Sequence, residues 1–192
     1  MYLLKHAFLK WAAWNQGEFV KFSDRLPIKN LNIKRFIIKN QFLIINQLKI
    51  IETNIVIDST PEKIWNILTN FKEYELWNPF MTKVVGDYNL GSKIEVNIKT
   101  MNGKNRTYYP IITKCETNKE LRWKGKSILP GIFDGERIFI LERSDDHKVS
   151  FSHKEIFTGL GVKFVGNKLD ENLQKSFVNM NEALKNRAEI SD

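Results

Sequence analysis

Near the end of the chain, apolar side chains recur at steps of four, four, three and four, at Leu169, Leu173, Phe177, Met180 and Leu184. That spacing draws one apolar stripe along a helix over about 168–188, with Lys168, Asp170, Glu171, Lys175, Asn179, Glu182 and Lys185 off the stripe. Gly166 and Asn167 mark its start, and no Pro or Gly interrupts it. Upstream the period changes to two. In KIEVNIKT, Ile94, Val96 and Ile98 share one face and Lys93, Glu95, Asn97 and Lys99 the other. Met101-Asn102-Gly103-Lys104 reads as a hairpin turn, followed by RTYYPIITK, a turn at Thr117-Asn118-Lys119, and ELRWKGKS with Leu121 and Trp123 opposite Arg122 and Lys124. GERIFILER and KVSFSHKEIF complete an antiparallel meander with one wet and one apolar face.

Before this sheet, IETNIVID alternates as a strand and runs into Ser59-Thr60-Pro61-Glu62, a helix start capped by Ser59 with Glu62, or by Thr60 with Pro61 at the first helical position. Ile64, Trp65, Ile67, Leu68 and Phe71 give that helix its apolar face, and Tyr74 and Trp77 continue into a second short helix that Asn78-Pro79 stops. The class expected is α+β, a curved antiparallel sheet wrapped around the long C-terminal helix, with a short helical pair after the first strand.

Charge changes the picture only at the N-terminus. Of 30 Lys and Arg and 22 Asp and Glu, residues 1–50 hold nine and two, so the remainder is close to neutral. The net charge of +8 is therefore no nucleic-acid footprint for the folded part, and no nucleic-acid partner is expected. The stretch MYLLKHAFLKWAAWNQ admits a short basic amphipathic helix, so residues 1–50 read either as an extension making weak contact with a membrane surface or as a poorly patterned leader. Lys34, Arg35 and Lys39 interrupt the apolar run that follows, which argues against a spanning helix. The expected domain is residues 51–189.

Cys115 is alone, which excludes an internal disulfide, and with no secretory signal in view the expected compartment is the cytoplasm. The three histidines are scattered, HExxH, GxSxG and GxGxxG are absent, and Gly125-Lys126-Ser127 lacks the first glycine of a phosphate loop. No metal site and no cofactor are expected.

At residues 55–80, IVIDSTPEKIWNILTNFKEYELWNPF, and at 120–142, ELRWKGKSILPGIFDGERIFILE, the chain resembles the START/Bet v 1-like superfamily, also called SRPBCC or polyketide cyclase/dehydrase-like domains. HKEIFTGLGV and FVNMNEALKNRAE extend the resemblance, which covers about residues 51–189. It implies a helix-grip fold with a cavity between the sheet and the last helix for a small hydrophobic or amphipathic molecule, such as a lipid or polyketide-like compound. The superfamily also holds enzymes and interaction modules, so three readings stand: a ligand carrier, a cyclase/dehydrase-type enzyme, and a module docking through its basic N-terminal segment.

A turn centred near Asp146 sets Leu141 opposite Phe151, Phe139 opposite His153 and Arg137 opposite Glu155. Val149, Phe151 and Phe157 mark this face as apolar, so Arg137, His153 and Glu155 become polar groups on the inner side. Arg137 and Glu155 are expected to pair, with His153 stacked on or bonded to a neighbour. The trio serves either to orient a ligand's polar group or as a structural cross-strand pair beside a satisfied histidine; in an enzyme, His153 and Glu155 are the acid/base candidates. The cavity wall is expected from Trp77, Phe80, Ile94, Val96, Ile98, Tyr108, Trp123, Phe139, Phe151, Leu173, Phe177 and Met180. Phe133, in the loop Leu129–Gly135, is either a plug at the mouth or a cover for the core edge.

Overall fold

The structure, a computed structural model, describes residues 48–100, 103–125, 134–144, 148–159, 161–162 and 167–190, with no side chains over 167–169. The readings of the first 47 residues and of Phe133 lie outside the described residues.

Strand β1 (Leu48–Ile57) begins ahead of Ile51 and turns Ile51, Thr53 and Ile57 into the core. Helix α1 (Pro61–Thr69) follows, and of the two starts open in the sequence it is Thr60 that caps it. The Thr60 hydroxyl accepts from the Lys63 N–H at 3.2 Å, and Pro61 takes the first helical position, where a missing N–H costs nothing. Ile64, Trp65 and Leu68 form the buried face of α1. A 3-10 turn (Phe71–Glu73) leads into α2 (Tyr74–Trp77). Asn78 ends α2, and its side-chain carbonyl accepts from the N–H groups of Phe80 at 3.0 Å and Met81 at 2.9 Å. Those two bonds turn the chain into β2 (Met81–Val85), a strand the hydrophobic pattern leaves unmarked.

Strands β3 (Glu95–Lys99), β4 (Asn105–Tyr108), β5 (Ile111–Glu116), β6 (Glu120–Gly125), β7 (Asp134–Arg143) and β8 (Val149–Thr158) follow, and α3 (Asn167–Glu189) is the long last helix. They do not form one simple meander. β1 pairs antiparallel with β8 to give a five-stranded sheet in the order β1-β8-β7-β6-β5, while β2-β3-β4 form a second, three-stranded sheet. RTYYPIITK, expected as one strand, is broken between Tyr108 and Ile111, where Pro110 lacks the N–H a ladder needs. The two sheets meet at that break: the Ile94 N–H donates to the Pro110 carbonyl and the Ile112 N–H to the Ser92 carbonyl, each at 2.9 Å.

The β7–β8 hairpin keeps an unbroken register, with Arg137 opposite Glu155, Phe139 opposite His153 and Leu141 opposite Phe151. Burial alternates along β8, where Val149, Phe151, His153, Glu155 and Phe157 are buried and the residues between them are half-buried. Against this face lies α3, whose Phe177, Met180 and Leu184 are fully buried. Leu173 on the same stripe is partly buried. The far end of α3 is tied to β1 and its exit, where the Asp58 N–H donates to the Glu189 carboxylate at 2.7 Å and the Lys185 ammonium to the Val56 carbonyl at 3.0 Å. The result is an α+β fold in which antiparallel strands pack on one long C-terminal helix.

Candidate functional site

Two neighbouring rows cross the inner face of the five-stranded sheet. One runs Ile51, Glu155, Arg137, Trp123 and Ile112 from β1 to β5, and the next runs Thr53, His153, Phe139 and Leu121. Every member of both rows is buried, although four carry polar side chains. Each of these four must therefore find a partner inside the protein or present its polar atom to something else.

Arg137 is 4% exposed, and its Nε donates to Glu155 Oε2 at 2.6 Å. Its Nη1 reaches the sulfur of Met81 at 3.4 Å, and the guanidinium carbon stands 4.9 Å from the centre of the Phe80 ring and 5.0 Å from that of Phe177. The cation thus sits between two ring faces with a carboxylate at one end, an arrangement that offsets much of its desolvation. The other carboxylate oxygen, Glu155 Oε1, lies over Gly135 so closely that a Cβ there would be 2.6 Å from it. Glycine at 135 is what allows the carboxylate to lie down against β7.

His153 is fully buried, with its ring stacked on Phe177 at 3.9 Å between centres and 15° between planes, and tilted against Phe139 at 4.8 Å. Its Nδ1 is 3.1 Å from Asn181 Oδ1, and the Asn181 amide nitrogen donates to the Thr53 hydroxyl at 2.9 Å. With the Asn181 carbonyl oxygen facing the imidazole and its amide nitrogen facing Thr53, Nδ1 is the nitrogen that carries the proton. Nε2 is then a bare acceptor, buried and without a partner. Burial first, and the Arg137 charge second, hold this imidazole well below its ordinary pKa, opposed by the Asn181 hydrogen bond, so it is neutral. Tyr74, also fully buried, donates to the Leu68 carbonyl at 2.7 Å, and burial pushes its phenol far up.

His153 and Glu155 do not bond to each other: Glu155 is engaged by Arg137 and His153 by Asn181. Among the other residues expected on the wall, Phe80, Ile94, Val96, Trp123, Phe139, Phe151, Phe177 and Met180 are buried, and Trp77, Ile98 and Leu173 are partly buried. Tyr108 is placed differently, being 43% exposed on β4, an edge strand with all four residues exposed. By register it opposes the buried Val96, but an edge strand has no neighbour beyond it to cover the ring. Thr53 and Asn181 were not singled out in the sequence. The signals were present: Thr53 keeps the alternation of Ile51, Ile55 and Ile57, and Asn181 follows Phe177 by one helical turn.

The interior between sheet and helix is filled by contacting rings, with Phe80 and Phe177 5.7 Å apart. A cleft of about 220 Å3 adjoins it, lined by Pro79, Phe80, Lys99, Thr100, Ser176 and Asn179 among others. Phe80 is thus shared: one side borders this cleft and its ring face meets Arg137. A larger groove of about 440 Å3 runs along α1 and the end of α3, but it is lined by Glu62, Lys63, Asn66, Glu73 and Arg187 and includes none of the buried polar trio. Its charged lining suits no apolar guest. Among the described residues, no three His, Cys, Asp or Glu side chains converge as metal ligands would, and no helix is long and apolar enough to cross a membrane.

No family model matches the chain, and neither does any curated protein. Solved structures do match. The START superfamily protein from Mycobacterium smegmatis superposes with a TM-score of 0.59 at 14% identity, over 73% of this chain and 97% of that one. The Zhui aromatase/cyclase from Streptomyces sp. R1128 gives 0.60 at 12% identity, over 74% and 94%. The di-domain ARO/CYC StfQ from the steffimycin biosynthetic pathway gives 0.64 at 10% identity over 78% of this chain, which spans only 54% of StfQ. At such identities the likeness speaks for architecture. This chain thus shares the helix-grip fold of these solved structures, one of them a START superfamily protein.

Proposed function

We propose that the domain binds a small hydrophobic or amphipathic molecule between the inner face of the sheet and α3. One observation carries the reading: His153 Nε2 is a buried acceptor without a partner, set among aromatic rings. Stable interiors satisfy their polar atoms, and an acceptor left over in an apolar wall is the kind of polar group by which a mostly apolar pocket fixes a ligand's orientation. Access is through the cleft behind Phe80. At about 220 Å3 the cleft is small for a ligand site, so Phe80 and Phe177 must give way to enlarge it. The fold supports the same reading, since its relatives include proteins named aromatase/cyclases, ARO/CYC and START.

Carriage is favoured over catalysis by the state of Glu155. A general base needs a free carboxylate within reach of the proton it removes, and this one is held by Arg137 at 2.6 Å. A cytoplasmic setting goes with this reading, for which the lone Cys115 is the support.

Native mass spectrometry of the protein purified from its own source, followed by organic extraction, tests the proposal. A discrete apolar molecule released on denaturation is the expected result. A bare chain mass, together with no binding of hydrophobic probes, counts against it.

A further inference from the structure

Resting on that reading, the polar groups also say which ligand chemistry the site selects. Two chemistries compete. If Arg137 were the anchor, the ligand would carry a carboxylate; if His153 were, it would carry an O–H or N–H donor. Arg137 already has its counter-charge in Glu155, and its faces are covered by Phe80 and Phe177. A carboxylate ligand would bring a second buried negative charge to a cation that is already neutralised. His153 has no such obstacle. Nδ1 is turned toward Asn181 on α3, which in turn reaches Thr53 on β1, and Nε2 is the ring nitrogen left without a partner. The Thr53–Asn181 chain thus presets the imidazole as an acceptor, with aromatic rings of Phe139 and Phe177 around it.

We infer that the site selects neutral, hydroxyl-bearing planar molecules over carboxylates, with His153 Nε2 accepting the ligand hydroxyl and the Asn181–Thr53 pair acting as positioning residues that hold its tautomer. Arg137 and Glu155 are a closed pair that keeps the pocket neutral and so disfavours fatty acids and other anions.

The test uses three probes of one shape, naphthalene, 2-naphthol and 2-naphthoate, titrated by calorimetry into the full chain. Satisfying a buried acceptor is expected to make 2-naphthol bind roughly tenfold tighter than naphthalene, with 2-naphthoate weakest. His153→Phe keeps an aromatic ring and is expected to bind naphthalene and 2-naphthol equally. The wild-type protein supplies a second readout that needs no variant: ring 15N shifts of His153 report Nδ1–H and a bare Nε2, and the Nε2 signal moves when 2-naphthol binds. Tighter binding of 2-naphthoate, or an Nε2–H tautomer in the free protein, overturns the inference while leaving the binding site standing. Failure of all three probes to bind overturns the binding site and the inference with it.

Discussion

Arg137 and Glu155 face each other across β7 and β8, both nearly out of solvent, with Nε and Oε2 2.6 Å apart. Such a pair stabilises little when compared with apolar residues of the same shape, yet removing one partner strands the other. Glu155→Gln is expected to cost about 3–5 kcal/mol and Arg137→Met a similar amount, while the double change Arg137→Met with Glu155→Leu costs much less than the two singles together. Urea unfolding of the four proteins checks this; additive losses would mean that the two side chains do not act as a pair.

Gly135 enters through the same carboxylate. In Gly135→Ala the new Cβ meets Glu155 Oε1 at 2.6 Å and must turn the carboxylate away from Arg137. A loss of about 1–3 kcal/mol is expected in the wild-type background, and a clearly smaller one in Glu155→Ala, where nothing is left to displace. Equal losses in both backgrounds would place the strain elsewhere.

The depressed pKa of His153 sets the response to acid. The unfolded chain takes up a proton at this histidine near its ordinary value of 6.5, and the folded chain only at lower pH. Its contribution to stability is therefore complete above pH 6.5 and falls as pH drops below it, by up to about 1.4 kcal/mol per pH unit, until the folded group also protonates. Arg137 on β7 and Glu155 on β8 are the charged neighbours of its face; Thr53 on β1 and Asn181 on α3 are neutral. Unfolding free energies at pH 7.5, 6.5 and 5.5 are expected to decline over this window, with the decline shallower in His153→Gln.

Phe80 separates the cleft from the guanidinium. Phe80→Ala is expected to lower stability by about 3 kcal/mol and to speed the association of naphthalene measured by stopped-flow tryptophan fluorescence. An unchanged association rate would show that molecules do not pass at Phe80.

Much of this arrangement was legible in the chain itself, for a local reason. In a hairpin, the turn and the alternation of Val149, Phe151 and Phe157 together set register and face, so the Arg137–Glu155 opposition follows from adjacent sequence. Phe177, Met180 and Leu184 were equally legible, because a helical period needs no distant partner. What stayed hidden depends on residues far apart. The pairing of β1 with β8 leaves no trace in either strand's pattern, and it is this pairing that brings Thr53 beside His153. Asn181 reads as polar surface until the opposite sheet supplies an imidazole for it. Tyr108 shows the converse: alternation assigns a face but not the distance from a sheet edge.

A guest lodged between β8 and α3 would give intermolecular nuclear Overhauser effects from naphthalene to the labelled protein. Contacts to Phe139, His153, Phe177 and Met180 are the predicted result. Contacts confined to exposed rings such as Tyr108 and Tyr109, with none to those interior residues, would contradict it.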